Sequence, residues 1–281
     1  MQMGLCYGIN NQIGKPNLEN AIQILDLAKS SGIKTLDTAE SYGDAQKLIG
    51  LYHEVHETKP FNVITKLTSN VIGDVIRNHV DNDLKELNIK CLDGFMFHSF
   101  QSFKNNANGL STMQLLKEEG LINKIGVSVY SNEEFEFIIR ETDVDFVQLP
   151  FNLLDNRKRR GELLQEASKK GLEVHTRSVF LQGLFFMNVE QLPEKLLPLK
   201  PYLEILNEII KEAGNTIQEV CLAYALAQPE INKVLIGVET PEQLKQNIEI
   251  LNNIKVESAL FQQINRIDVA PFELLSPVNW K

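Results

Sequence analysis

The stretch Leu36–Gly43, LDTAESYG, places a carboxylate, Asp37, and a phenol, Tyr42, in one turn directly after the short run Ile33–Leu36. Further along, Lys66 follows Val63-Ile64-Thr65 and His98 follows Phe95-Met96-Phe97. A carboxylate, a phenol, an ammonium and an imidazole at the ends of β-rich runs suit the reduction of a carbonyl, in which hydride reaches carbon while a proton must reach oxygen. Tyr42 can give that proton. A phenol holds its proton too tightly for easy transfer near neutrality, and an adjacent ammonium such as Lys66 eases its release. Asp37 would anchor Lys66 by an ion pair, and a neutral His98 can donate a hydrogen bond to the oxygen as negative charge builds there.

These residues need a scaffold that gathers strand ends at one face. The chain alternates accordingly. Asn17 is a good helix cap, and Leu18, Ala21, Ile22, Leu25 and Ala28 recur at helical spacing until Gly32. The β-rich runs are Met1–Cys6, Ile33–Leu36, Phe61–Lys66, Leu92–Phe97, Lys124–Ser128, Val144–Leu149, Leu172–Ser178 and Lys233–Gly237. Helical patterns fall between them: after Asp44, over Val71–Leu87, Met113–Glu118, Glu133–Arg140 and Arg159–Lys170, and through Leu251. Eight such units with no Pro/Gly/Ser linker predict one parallel α/β domain over residues 1–281, a (β/α)8 TIM barrel. The long interval Phe180–Gln228 holds two further helical patterns and is expected to cap a site. In a barrel the carboxyl ends of the strands face the active site. Those ends here supply Asp37 with Tyr42, Lys66, His98, Ser128, Gln148 and Arg177-Ser178.

Composition removes other functions. A formal net charge of −9 and a pI near 5.2 disfavour a nucleic-acid surface. Arg157-Lys158-Arg159-Arg160 is expected to be a solvated helix start, with an anionic substrate group as the alternative reading. Cys6, Cys91 and Cys221 share no metal-ligand spacing and read as buried thiols of a reducing compartment. No apolar run approaches the ~20 residues of a membrane span, so a cytoplasmic protein without a membrane partner is expected. His53 and His56 stand one helical turn apart, but their segment is charged and reads as a solvated helix rather than a metal pair. His79 and His175 are expected to pack or to face solvent.

The residues in this order resemble the aldo-keto reductases, a (β/α)8-barrel family that uses an Asp, Tyr, Lys and His tetrad with a nicotinamide cofactor. DTAESYG matches that family's DTAxxYG signature, and Lys66, His98, Ser128 and Gln148 fall in its order on successive strands. VLIGVETPEQLKQNIEIL resembles its late cofactor segment. The resemblance implies an oxidoreductase acting on an aldehyde or ketone, with Asp37, Tyr42, Lys66 and His98 catalytic. It implies that Ser128 and Gln148 hold the nicotinamide carboxamide, and that Ser178, Phe180 and Gly183 lie along the pyrophosphate. Gly237, Gln243 and Asn247 would meet the adenosine end, where Glu239 would repel a 2′-phosphate or accept a ribose hydroxyl. GLCYGINNQIGKP with RSVFLQGLF resembles a bacterial branch associated with polysaccharide or nucleotide-sugar metabolism, which suggests a sugar-like carbonyl as the small-molecule partner.

Three positions depart from the family pattern. Val129 stands where Asn commonly flanks the carboxamide-binding Ser. Arg177 stands where an aromatic residue usually stacks on the nicotinamide, and it could stack or meet a substrate phosphate. The late segment lacks the Lys or Arg that commonly pairs with the NADP 2′-phosphate, and offers Glu239 instead. The cofactor expected is therefore NAD(P)H, NADPH by resemblance and NADH by this departure. A nucleotide-binding sensor or scaffold with little turnover is the second reading. A Schiff-base lyase built on Lys66 leaves Asp37 and Tyr42 without a role.

Overall fold

The computed structural model of the 281-residue chain describes residues 3–6, 8–11, 13–56, 60–67, 75–106 and 108–280. Two compact units share the chain. The first comprises Met1–Tyr7, Ile13–Gln148 and Gly237–Gln246; the second comprises Gly8–Gln12, Leu149–Ile236 and Asn247–Lys281. Strand order follows chain order through seven strands, and the registered pairs are parallel.

The first unit opens with α1 (Leu18–Ser30), started by Asn17, whose side chain accepts from the Asn20 N–H at 2.8 Å. Ala21, Ile24, Leu25 and Ala28 form its buried stripe. Then β1 (Thr35–Asp37), α2 (Ala45–Glu54), β2 (Asn62–Leu67), α3 (Val75–Glu86) and β3 (Gly94–Phe97) alternate. They are followed by α4 (Phe100–Asn105), α5 (Gly109–Glu118), β4 (Ile125–Ser128), α6 (Asn132–Glu141) and β5 (Phe146–Pro150), which runs on into the second unit. Ser131 and Glu134 cap α6 reciprocally. Strands β3, β4 and β5 are buried throughout, as expected where both faces of a parallel sheet are covered. Ile64, Met96 and Phe146 meet in the core. A Cβ on Gly126 would lie 2.4 Å from the Phe146 ring, so the absence of a side chain in β4 is what admits that ring.

The second unit carries α7 (Arg157–Lys170), β6 (Glu173–Arg177), α8 (Lys200–Glu212), α9 (Ile217–Leu226), β7 (Lys233–Val234) and α11 (Ser258–Ile264). The helix α10 (Pro241–Asn253) begins in the first unit and ends in the second. Helices α8 and α9 are the two helical patterns read in the Phe180–Gln228 interval, and short 3-10 turns precede them.

Several expectations need correction. Seven strands, not eight, are present among the described residues. Met1 and Gln2 lie outside the described residues, and Met3–Cys6 is turn and bend rather than strand. Gly4 is the reason: a Cβ there would lie 1.9 Å from the Tyr42 carbonyl oxygen, so this segment packs its backbone on the Tyr42 turn and joins no ladder. The helix read over Val71–Leu87 is Val75–Glu86, its first four expected residues lying outside the described ones. His53 is fully buried, with Nδ1 2.9 Å from the Leu87 carbonyl, because α2 turns it onto the end of α3. Cys6 is exposed and Cys91 half-buried; only Cys221 is a buried thiol.

The basic run does start α7, but only Lys158 in it is exposed. Arg160 is wholly buried and forms two parallel bonds to Asp155, Nε to Oδ1 and Nη2 to Oδ2, each 2.8 Å. Arg157 pairs bidentately with Glu230 and also donates to Gln228, all at 2.8 Å. Lys158 and Arg159 both pair with Asp268, so the run's charges are engaged within the second unit.

Candidate active site

Strand β1 ends on Asp37 and β2 presents Lys66 beside it, a consequence of the parallel register in which Asp37 pairs with Ile64. Lys66 Nζ donates to Asp37 Oδ1 at 2.5 Å and to the Thr38 carbonyl at 2.8 Å. Lys66 is 1% exposed, and a buried ammonium persists only when paired and hydrogen-bonded. Burial pushes the Asp37 carboxyl up, but the Lys66 charge and hydrogen bonds from Lys66 and Gln148 outweigh it and hold the group below the usual carboxylate range. The carboxylate is thus ionised, and Lys66 Nζ lies 5.1 Å from the centroid of the Tyr42 ring.

Tyr42 is carried on the turn after β1, whose shape is set by Gly43 at φ +59 and by its backbone contact with Gly4. The His98 ring meets the Tyr42 ring edge to face at 5.8 Å between centroids. His98 Nδ1 is 3.5 Å from Ser41 Oγ, which leaves Nε2 on the opposite edge of the ring. The four predicted residues therefore converge. A phenol flanked by a paired ammonium and an imidazole can pass a proton to an oxygen placed between phenol and imidazole while that oxygen gains charge.

Ser128 ends β4 and pairs in register with Gln148 of β5, so both side chains stand together, 3% and 1% exposed. Gln148 Nε2 donates to Asp37 Oδ2 at 2.9 Å. Its Oε1 is buried and has no hydrogen-bond partner among the described residues. At the start of α10, a Cβ on Gly237 would meet nothing within 4 Å. The Glu239 N–H, ahead of the helix, donates to Gln243 Oε1 at 2.7 Å and the Gln243 N–H, in its first turn, to Thr240 Oγ1 at 3.2 Å, so both donors are already engaged.

The remaining predicted residues belong to the second unit. Arg177 ends β6, half-buried, with Nη1 3.4 Å from Ser178 Oγ. Ser178, Leu181, Gln182 and Gly183 have φ of 62, 46, 55 and 87 degrees. The three non-glycine residues among them are held in this conformation only where surroundings over-determine it, and such residues gather at ligand sites. Here the Ile9 N–H donates to the Gln182 carbonyl at 3.1 Å and a Cβ on Gly183 would meet Asn10 Cβ at 2.9 Å. Phe180 packs against Phe186. Asn247 is buried and accepts from Gln218 Nε2 at 2.9 Å.

A polar cluster behind the turn has no counterpart in the sequence reading. Glu40, whose N–H donates to the Lys66 carbonyl, holds His79 Nδ1 at 2.8 Å. Gln46 donates to Thr65 at 3.1 Å and to Asp83 at 2.9 Å. Burial, with Glu40 and Glu86 adding repulsion and Gln46 opposing, pushes the Asp83 carboxyl up to about 8. The fold thus retains a proton that the unfolded chain releases near ~4. This contribution is complete below that value and is lost as pH rises through about 8. Asp83→Asn, which keeps the acceptor for Gln46 and has no proton to lose, is expected to raise stability at pH ~8 by about 2 kcal/mol and to flatten its decline from pH ~4 upward. Urea unfolding across that range tests this; parallel curves for the two proteins would refute it.

Comparison with known proteins comes to the same place. A model of the aldo/keto reductase family matches residues 3–269. An NADH-specific methylglyoxal reductase of Escherichia coli is 27% identical over 264 residues, covering 80% of each chain. The holo form of an aldo-keto reductase from Bacillus halodurans superposes with a TM-score of 0.77 at 19% identity over 94% of this chain and 95% of that one. An aldo-keto reductase of Klebsiella pneumoniae in complex with NADPH gives 0.68 at 20% identity, over 91% and 87%. The α/β alternation described above is therefore that of the (β/α)8 barrel.

Proposed function

Because the chain belongs to the aldo/keto reductase family, a family of oxidoreductases, we propose that residues 1–281 form one catalytic domain that transfers a hydride between a nicotinamide dinucleotide and a small aldehyde or ketone. The observation that carries this reading is the convergence of Lys66, Asp37, His98 and Tyr42 at the ends of adjacent strands. The buried, unpartnered Oε1 of Gln148 beside Ser128 supports the cofactor, because a carboxamide offers the N–H that such an acceptor lacks. When bound, the dinucleotide supplies or accepts the hydride.

The chain's own residues do the rest. Tyr42 gives its proton to the carbonyl oxygen, or takes it back in the reverse direction. Lys66 holds positive charge beside the phenol, Asp37 holds Lys66, and the His98 ring orients the oxygen. Ser128 and Gln148 orient the carboxamide. Gly237, Glu239 and Gln243, in the same unit, would serve the adenosine end.

NADH is the cofactor this chemistry favours. No Lys or Arg stands between Gly237 and Leu244, while Glu239 and Glu242 are both acidic. A 2′-phosphate beside Glu239 would meet like charge. A relative whose name specifies NADH and methylglyoxal supports both the cofactor and a small reactive aldehyde, ahead of a sugar carbonyl.

Fluorescence titration with NADH and NADPH, followed by single-turnover oxidation against aldehydes, keto-sugars and nucleotide-linked sugars, tests the reading. NADH is expected to bind at least about tenfold more tightly than NADPH, a difference of ~1.4 kcal/mol. Tight binding without oxidation by any carbonyl would favour a sensor, and the reverse selectivity would refute the assignment of NADH.

A further inference from the structure

The Gln148 amide is held in one orientation by a residue of another strand. An ionised carboxylate only accepts hydrogen bonds, so Asp37 Oδ2, 2.9 Å from the amide, must face the NH2 end of Gln148. Asp37 cannot turn to present anything else, because its other oxygen is taken by Lys66 at 2.5 Å and Lys66 is itself fixed by the Thr38 carbonyl. The Gln148 backbone is fixed as well, since its carbonyl accepts from the Val129 N–H at 2.9 Å and its residue pairs in register with Ser128. The acceptor Oε1 is thereby left buried and without a partner among the described residues.

We infer that Asp37 is a positioning residue for cofactor recognition: through Gln148 it makes this end of the site an acceptor, which selects a bound group that presents an N–H. The inference rests on the reading that a nicotinamide dinucleotide binds beside Ser128 and Gln148. A free glutamine side chain could present either end to a ligand; one clamped by a carboxylate presents its oxygen. With Val129 apolar in the position after Ser128, Gln148 carries this discrimination without a second amide beside it.

Dinucleotide affinity, read by fluorescence rather than by turnover, tests this. The probes are NADH and its reduced acetylpyridine analogue, in which a methyl ketone replaces the carboxamide and no N–H remains. The wild-type protein is expected to bind NADH on the order of tenfold more tightly than the analogue, the scale of an unmet buried acceptor. In Asp37→Asn, Lys66 holds the introduced amide by its oxygen, so its NH2 faces Gln148. Gln148 must then reverse and offer its own NH2 to the ligand. The preference is expected to vanish or invert.

Gln148→Met removes the acceptor at nearly constant shape and is expected to bring the affinity ratio of the two probes close to one. Adding Asp37→Asn to it should change the ratio no further. Thermal unfolding checks that each variant is folded; if Asp37→Asn is not, Asp37→Glu, which keeps a carboxylate for Lys66 but displaces it from the Gln148 amide, is expected to shrink the preference. An unchanged preference in folded Asp37→Asn, or in Gln148→Met, would overturn the inference while leaving the reductase reading intact. Failure of the wild-type protein to bind either dinucleotide would overturn both.

Discussion

Tyr42→Phe is expected to slow carbonyl reduction by about two to four orders of magnitude, the usual scale for removing a positioned general acid. The substitution is clean for geometric reasons. The phenylalanine ring keeps the contact with Lys66 Nζ, 5.1 Å from the centroid, and the edge-to-face contact with His98 at 5.8 Å. The Lys66–Asp37 pair is untouched, and so is the Gln148 bond that holds the second Asp37 oxygen. Dinucleotide affinity should therefore stay within a few-fold, and the stability change should be under about 1 kcal/mol because no core volume is lost. Only the phenolic proton disappears. Single-turnover oxidation of bound NADH by the best carbonyl of the panel measures this. A rate within threefold of wild type would mean that the proton comes from elsewhere, with His98 as the neighbouring group left to supply it.

The contrast between what the sequence discloses and what it conceals follows from distance along the chain. Asp37, Ser41 and Tyr42 lie in one turn, and Lys66 and His98 follow apolar runs that read as strands. The parallel alternation alone then brings them to one face. The same local logic places α1 behind its Asn17 cap and α6 behind its Ser131–Glu134 box.

The bond between Gln148 and Asp37 spans 111 residues, and nothing in either segment announces it. The Glu40–His79 pair and the Gln46–Thr65–Asp83 cluster likewise join polar residues of different elements. Each of these residues, read alone, looks like an ordinary surface group of a helix or turn. His53 misleads for the same reason, since a charged neighbourhood in sequence becomes buried when the end of α3 covers it. The opening residues mislead in the opposite direction. Their apolar content suggests a strand, but Gly4 is needed for close backbone contact with the Tyr42 turn.

Asp155→Ala should destabilise the second unit by about 3–5 kcal/mol, the cost of breaking a buried ion pair by removing one partner. Arg160 and Asp155 are both wholly buried and joined by two bonds of 2.8 Å, and removing the carboxylate takes both bonds from a guanidinium that stays buried. The surroundings resist rearrangement. Asn156 donates to the Ile264 and Ile267 carbonyls at 3.0 and 2.9 Å, Tyr224 donates to Asn265 and accepts from the Arg157 N–H, and Phe151 stacks on Tyr224 at 5.4 Å. In the sequence, four consecutive basic residues at a helix start argue for solvent, because the carboxylate lies just before the run and the covering elements lie far from it. Replacing both partners with apolar residues, Asp155→Leu with Arg160→Met, is expected to recover most of the loss, since neither a charge nor an unmet donor remains. Urea unfolding of the wild-type, single and double variants measures this. Asp155→Ala within about 1 kcal/mol of wild type would show that the guanidinium finds other acceptors.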